Sequence, residues 1–206
     1  MTSTASPTSS VSSADRGSSL SRLLRDGATH PRISAYLDGL SASRRLEEVL
    51  GITGSGVGKL YRAMKDAPAM GREDFLPEGT KDGEMVIFEG RNSLPLFSRF
   101  QKRFVRRDKV IVGYNHQSVA PLTGPGFFLL AESDDVFPNE VLFDYTQKPP
   151  FFPEMFPAYK PNDVMLSKLV YANMKDYCRP VAKNVVVGAA FKLGKLQGAY
   201  FTLTLP

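Results

Sequence analysis

Tryptophan is absent from the 206 residues, cysteine occurs once, at Cys178, and histidine twice, at His30 and His116. One cysteine cannot close an internal disulfide, nor supply the cysteine pairs of a structural zinc site. Two histidines far apart in sequence form no histidine-based metal motif. Long apolar runs are lacking as well: no window reaches the roughly eighteen residues of a transmembrane helix. Charge of either sign is modest, 26 basic against 21 acidic residues for a net +5. That is short of a dedicated nucleic-acid binder. The glycine-rich Gly54-Ser55-Gly56-Val57-Gly58-Lys59 is no phosphate loop, because Leu60 stands where a Ser or Thr is needed and no strand precedes it. It reads as a helix–helix linker. The sequence names no reaction, and no metal set or cofactor motif emerges.

What is present divides the chain. Residues 1–19 hold eleven Ser or Thr and one large aliphatic, Val11. Too little apolar surface can be buried there to offset ordering, so a disordered tail is expected. It has no apolar centre for a secretory signal. With the missing disulfide this favours the cytoplasm. The Ser-rich composition with Arg16, Arg22 and Arg25 leaves an organelle transit peptide as the alternative, against which stand Asp15 and Asp26.

Over 20–66 the apolar spacing is helical. Leu20, Leu23 and Leu24 form a short stripe; Ser41 or Ser43 caps a helix carrying Leu46, Val49 and Leu50 and stopping at Gly51; Val57, Leu60, Tyr61 and Met64 share one face of another. Residues 67–83 are Gly, Pro and charge, a linker. From 84 the period becomes two. Strands are expected at 84–89, 109–115, 126–131, 140–146, 168–175, 184–191 and 198–205, the last two joined by 192–197. The stretch 94–105 reads as a short amphipathic helix on Leu96, Phe97, Phe100 and Phe104. The Pro-rich loop 148–161 should press on the surface through Phe151, Phe152, Met155 and Phe156. Without the long crossovers of parallel strands, 84–206 should be an antiparallel barrel, with a two-sheet sandwich as runner-up.

Three groups of residues bear chemistry. The basic run 91–109, with Arg99, Lys102, Arg103, Arg106 and Arg107 among phenylalanines, suits an anionic lipid or single-stranded nucleic acid, or simply a solvated helix face. Tyr114 and His116 end a strand before a Gly-Pro-Gly turn. Asp144 and Tyr145 share another strand on opposite faces, Asp144 seeking Arg179 or Arg91 as partner. Cys178 beside Arg179 is either a lowered-pKa thiol or a buried inert one.

Residues 173–205 carry Asp176, Arg179, Val181, Gly188, Gly198 and Phe201 in a D-x-x-R-x-V, V-x-G, G-x-x-F-x-L cadence. This is similar to the C-terminal part of bacterial GxWxG-motif proteins, although the GxWxG itself is missing here. The resemblance implies a lipocalin-like barrel with an apolar lumen. Eight strands would leave room inside for one small ligand. The reading is therefore a mainly β, α+β chain: tail, helical segment, linker and lipocalin-like barrel. Its function would be non-catalytic binding of a small, largely apolar ligand, neutral or acidic, in the lumen, with Phe88, Phe128, Phe143, Tyr171, Phe191 and Phe201 lining lumen or outer core. Tyr114, His116, Asp144, Tyr145, Tyr171 and Arg179 are the candidate contacts. The alternatives are an enzyme using Tyr114, His116, Asp144 and Arg179 at the barrel mouth, and an anionic-surface binder through 91–109. Oligomeric state is not encoded legibly.

Overall fold

The structure is a computed structural model that describes residues 19–95, 98–117, 124–132, 134–164 and 166–206. The expected tail, apart from Ser19, lies outside the described residues, as do Leu96 and Phe97. Eight antiparallel strands follow one another around a closed barrel: β1 Met85–Asn92, β2 Arg99–Arg107, β3 Val110–His116, β4 Phe127–Ala131, β5 Val141–Asp144, β6 Met174–Ala182, β7 Val185–Lys192 and β8 Lys195–Thr204. The pairing of β1 with β8 closes the circle and leaves no open sheet edge.

Two expected elements change type. The helix expected over 94–105 is instead β2, paired along its length with β1 and β3. Phe100 and Phe104 are four apart, which satisfies a helix face and a strand face equally; pairing on both sides decides for the strand. The strand expected at 168–175 splits. Residues Ser167–Val170 make one helical turn, α5, and β6 starts only at Met174, after Asn173 takes a left-handed φ of 57°. The last hairpin is also tighter than expected. Leu193 and Gly194, with φ of 50° and 75°, form a two-residue turn whose twist matches the strands.

Four helices precede the barrel: α1 Leu20–Arg25, α2 His30–Asp38, α3 Ala42–Gly51 and α4 Ser55–Ala63. Ser41 caps α3, accepting from the Arg44 amide at 3.4 Å. Their apolar faces, including Leu20, Ile33, Leu37, Val49 and Leu60, bury the outward side chains Val181, Val185, Val187 and Ala189 of β6 and β7. Polar ties fix the docking. Arg45 donates to the Lys183 carbonyl at 3.1 Å, and the Lys183 amide donates to Asp38 at 2.8 Å. No described helix is long and apolar enough to cross a membrane.

The segment 67–83 is more than a linker. Its 3₁₀ turn Arg72–Phe75 drives the fully buried Phe75 into one end of the barrel, against Phe88, Phe104 and Phe143. Arg106 holds this plug, donating to Asp82 at 2.6 Å, to Glu73 at 3.1 Å and to the Thr80 carbonyl at 2.6 Å. The other end, where β1–β2, β3–β4, β5–β6 and β7–β8 connect, is the mouth. In the Pro-rich loop, Phe151, Phe152 and Phe156 cover Val105, Val112, Tyr114 and Phe127 on the outer wall. Met155, expected to join them, is exposed.

Candidate functional site

Strand alternation sends Phe100, Lys102 and Phe104 inward from β2, so an ammonium group enters the barrel between two rings. Lys102 is 1% exposed. Its Nζ donates to Asn115 Oδ1 at 3.0 Å, to Asp176 Oδ2 at 3.2 Å and to the Tyr145 hydroxyl. The Tyr145 hydroxyl donates in turn to Asp176 Oδ2 at 3.0 Å, and Asn115 Nδ2 donates to the Gly126 carbonyl at 3.4 Å. Around this cluster stand the rings of Phe143, Phe128, Tyr145 and Phe201, with centroids 4.3, 4.8, 5.0 and 5.1 Å from Nζ. Electron-rich ring faces offset part of the lost hydration of a buried cation.

Burial pushes the Lys102 ammonium below its ordinary value and the Asp176 carboxyl above its own, and their mutual attraction opposes both shifts. Burial, with the Asp176 charge alongside, also raises the Tyr145 phenol, which stays a neutral donor. Three N–H donors meet three acceptors, the full capacity of an ammonium. All the hydrogen-bonding capacity of Lys102 Nζ is thus engaged within the barrel.

Glycine makes room for the enclosure at two points. A Cβ at Gly188 would lie 2.2 Å from the Phe201 ring. At Gly126 it would lie 2.4 Å from the Tyr171 ring, and there φ is +60° besides. Tyr171 closes the mouth, stacked on Tyr145 at 5.4 Å, its hydroxyl accepting from Gln117 Nε2 at 2.9 Å. Phe100, Val170 and Met174, all only partly buried, complete this layer. Outside it opens a cleft of about 490 Å³ lined by Tyr145, Thr146, Lys148, Tyr159, Asn162 and Asn173 among others.

Of the six expected ligand contacts, the structure brings Tyr145 and Tyr171 together at this site. The other four lie on the outer wall, each with its own neighbours. Tyr114 packs under Phe156 at 4.9 Å, and His116 is exposed beside it. Asp144 accepts from the Thr146 amide, the Thr146 hydroxyl and Gln147, ending β5. Arg179 donates to Glu140 at 2.7 Å and to the Tyr61 carbonyl at 2.9 Å, with its guanidinium 3.9 Å above the Tyr61 ring. It ties α4 to the barrel and pairs with neither Asp144 nor Asp176. The enzyme constellation of Tyr114, His116, Asp144 and Arg179 therefore does not assemble.

The basic run disperses as well. Lys102 is inside, Arg106 holds the plug, Arg103 bonds Gln101 at 2.8 Å, Arg107 lies 4.5 Å over Phe151, and Arg99 is exposed opposite Arg91. The thiol question also resolves. Cys178 faces inward, away from Arg179, and burial raises its pKa well above the ordinary value.

Sequence reasoning missed Lys102, Asn115 and Asp176 as partners. The signal was the alternation Phe100-x-Lys102-x-Phe104, legible only once β2 is read as a strand. No family model, no curated protein and no solved structure matches the chain.

Proposed function

We propose that the barrel is a non-catalytic binding protein for a small, largely apolar molecule with an anionic head group, and that Lys102 is the anchor for that group. The observation that carries this reading is the buried Lys102 amino group, covered at the mouth, among the described residues, by Tyr171, Phe100, Val170 and Met174. A buried ion pair is a poor device for stability, since apolar residues of the same volume generally do as well or better. Its presence inside an aromatic enclosure is accounted for by a binding role.

The lumen below Lys102 is filled by Phe75, Phe88, Phe104 and Phe143, so the ligand enters only the upper part. Tyr171 swings out, the head group replaces Asp176 at Lys102 Nζ, and the apolar body lies where Tyr171 stacked and in the cleft beyond. Asp176, its carboxyl already raised by burial, takes up a proton and stays in place as a neutral partner of Tyr145. The likeness of residues 173–205 to the GxWxG proteins supports a lipocalin-like use of the barrel, and the buried, unpaired Cys178 suits a reducing cytoplasm.

Native mass spectrometry of freshly purified protein, followed by titration with decanoate, tests the reading. A one-to-one adduct is expected with the natural chain and none with the Lys102→Met/Asp176→Leu variant. No adduct with the natural chain, or an equal one with the variant, would overturn it.

A further inference from the structure

We propose that the mouth end of the barrel docks on an anionic membrane surface. Large apolar side chains stand exposed on its connections: Leu94 between β1 and β2, Leu166 and Leu169 at α5, Leu193 and Leu196 at the β7–β8 hairpin. Leu169 and Leu193 are 73% and 74% exposed, the two most exposed large apolar residues among those described.

They stand on one platform. The Leu193 amide donates to the Asn173 carbonyl at 3.1 Å, and Lys192 Nζ donates to the Leu169 carbonyl at 3.1 Å, lacing the hairpin to α5. Cations interleave with the leucines. Lys168 and Lys195 are exposed and Lys192 is half-buried. Lys175, lower on the wall, is paired with Asp134 at 3.2 Å, whereas no ion pair among the described residues engages Lys168, Lys192 or Lys195.

Apolar tips among unpaired lysines fit a bilayer interface. The leucines enter the boundary between headgroups and acyl chains while the exposed ammonium groups of Lys168 and Lys195 meet anionic headgroups. A second copy of the chain is the poorer occupant, because a two-fold contact would set the same lysines against themselves. The docked orientation turns the mouth toward the bilayer. It rests on the surface alone and does not depend on what Lys102 binds.

The test is co-sedimentation of the full chain with phosphatidylcholine vesicles, with and without phosphatidylserine. Binding only in the presence of phosphatidylserine is expected, weakening with added salt. Leu169→Asp/Leu193→Asp should abolish it, and Lys168→Gln and Lys195→Gln should each weaken it about fivefold. All four positions are exposed, so the variants should keep the natural far-ultraviolet circular dichroism. Equal binding to both vesicle types, no binding to either, or full binding by the leucine variant would overturn the proposal. So would a concentration-dependent dimer, seen by sedimentation, that the leucine variant loses without any vesicle binding.

Discussion

Replacing Lys102 by Met removes the ammonium while keeping nearly the same side-chain volume, which isolates the charge. Asp176 then sits in the barrel, 5% exposed, with no cation to face it. Burial already raises this carboxyl, and without Lys102 it must hold a proton to remain inside. In the unfolded chain its pKa is about 3.9, so keeping it protonated at pH 7 costs roughly three units of about 1.36 kcal/mol each, or about 4 kcal/mol. That agrees with the roughly 3–5 kcal/mol found when one partner of a buried pair is removed. The sign follows from a folded pKa above the unfolded one. The deficit is largest at neutral pH, shrinks as pH falls through the folded value, and is gone below about pH 4. Urea denaturation of Lys102→Met against the natural chain at pH 7 and pH 4.5 reads it directly. The deficit should fall by about 3 kcal/mol between the two, and Lys102→Met/Asp176→Leu should lack the pH dependence. A deficit of equal size at both pH values would refute the reasoning and assign the loss to packing.

Three other outcomes follow from the packing. Gly188→Ala drives a methyl into the Phe201 ring and should cost about 1–3 kcal/mol in urea denaturation. Combining it with Phe201→Leu should recover part of that cost, and strictly additive losses would refute the contact. Arg179→Lys breaks the bonds to Glu140 and the Tyr61 carbonyl and should cost about 1–3 kcal/mol with decanoate binding unchanged. Unchanged stability with lost binding would move Arg179 into the ligand site. Tyr171→Ala removes the mouth cover at a cost of about 3 kcal/mol and should speed decanoate exchange, measured by stopped-flow or NMR lineshape. Unchanged exchange would mean that the ligand enters elsewhere.

The barrel was legible because alternation is a strong signal: Val141, Phe143 and Tyr145 fall on one face as their spacing requires, and all three are buried in the lumen. Helices α1, α3 and α4 were legible for the same reason at period 3.6, the cap of α3 falling on Ser41 rather than Ser43; α2 was not read, and Ser55–Lys59, expected as linker, begins α4. The strand β2 was not. Five cations in nine residues hide its period, and the Asp108–Lys109 turn that sets its register uses left-handed φ values without a glycine to announce it. The site depended on that strand. With β2 read as a helix, Lys102 joined Arg99, Arg103 and Arg106 on a charged surface, and Asp176 appeared only as the first residue of the D-x-x-R cadence. Tyr145 and Tyr171 were found as aromatic residues of expected strands, although Tyr171 in fact lies between α5 and β6. Asn115 was hidden in a run of polar residues whose alternation only the β2–β3 register reveals. The plug at Phe75 came from a segment of Gly, Pro and charge, where one apolar residue carries no period at all.

The central claim, that Lys102 receives an anionic head group while Asp176 takes up the proton, is tested most directly by titration calorimetry of decanoate in buffers of different ionisation enthalpy. One decanoate should bind per chain with uptake of close to one proton. The affinity should rise by up to about tenfold for each unit the pH is lowered, as long as decanoate stays ionised. Binding without proton uptake, or affinity indifferent to pH, would contradict the account.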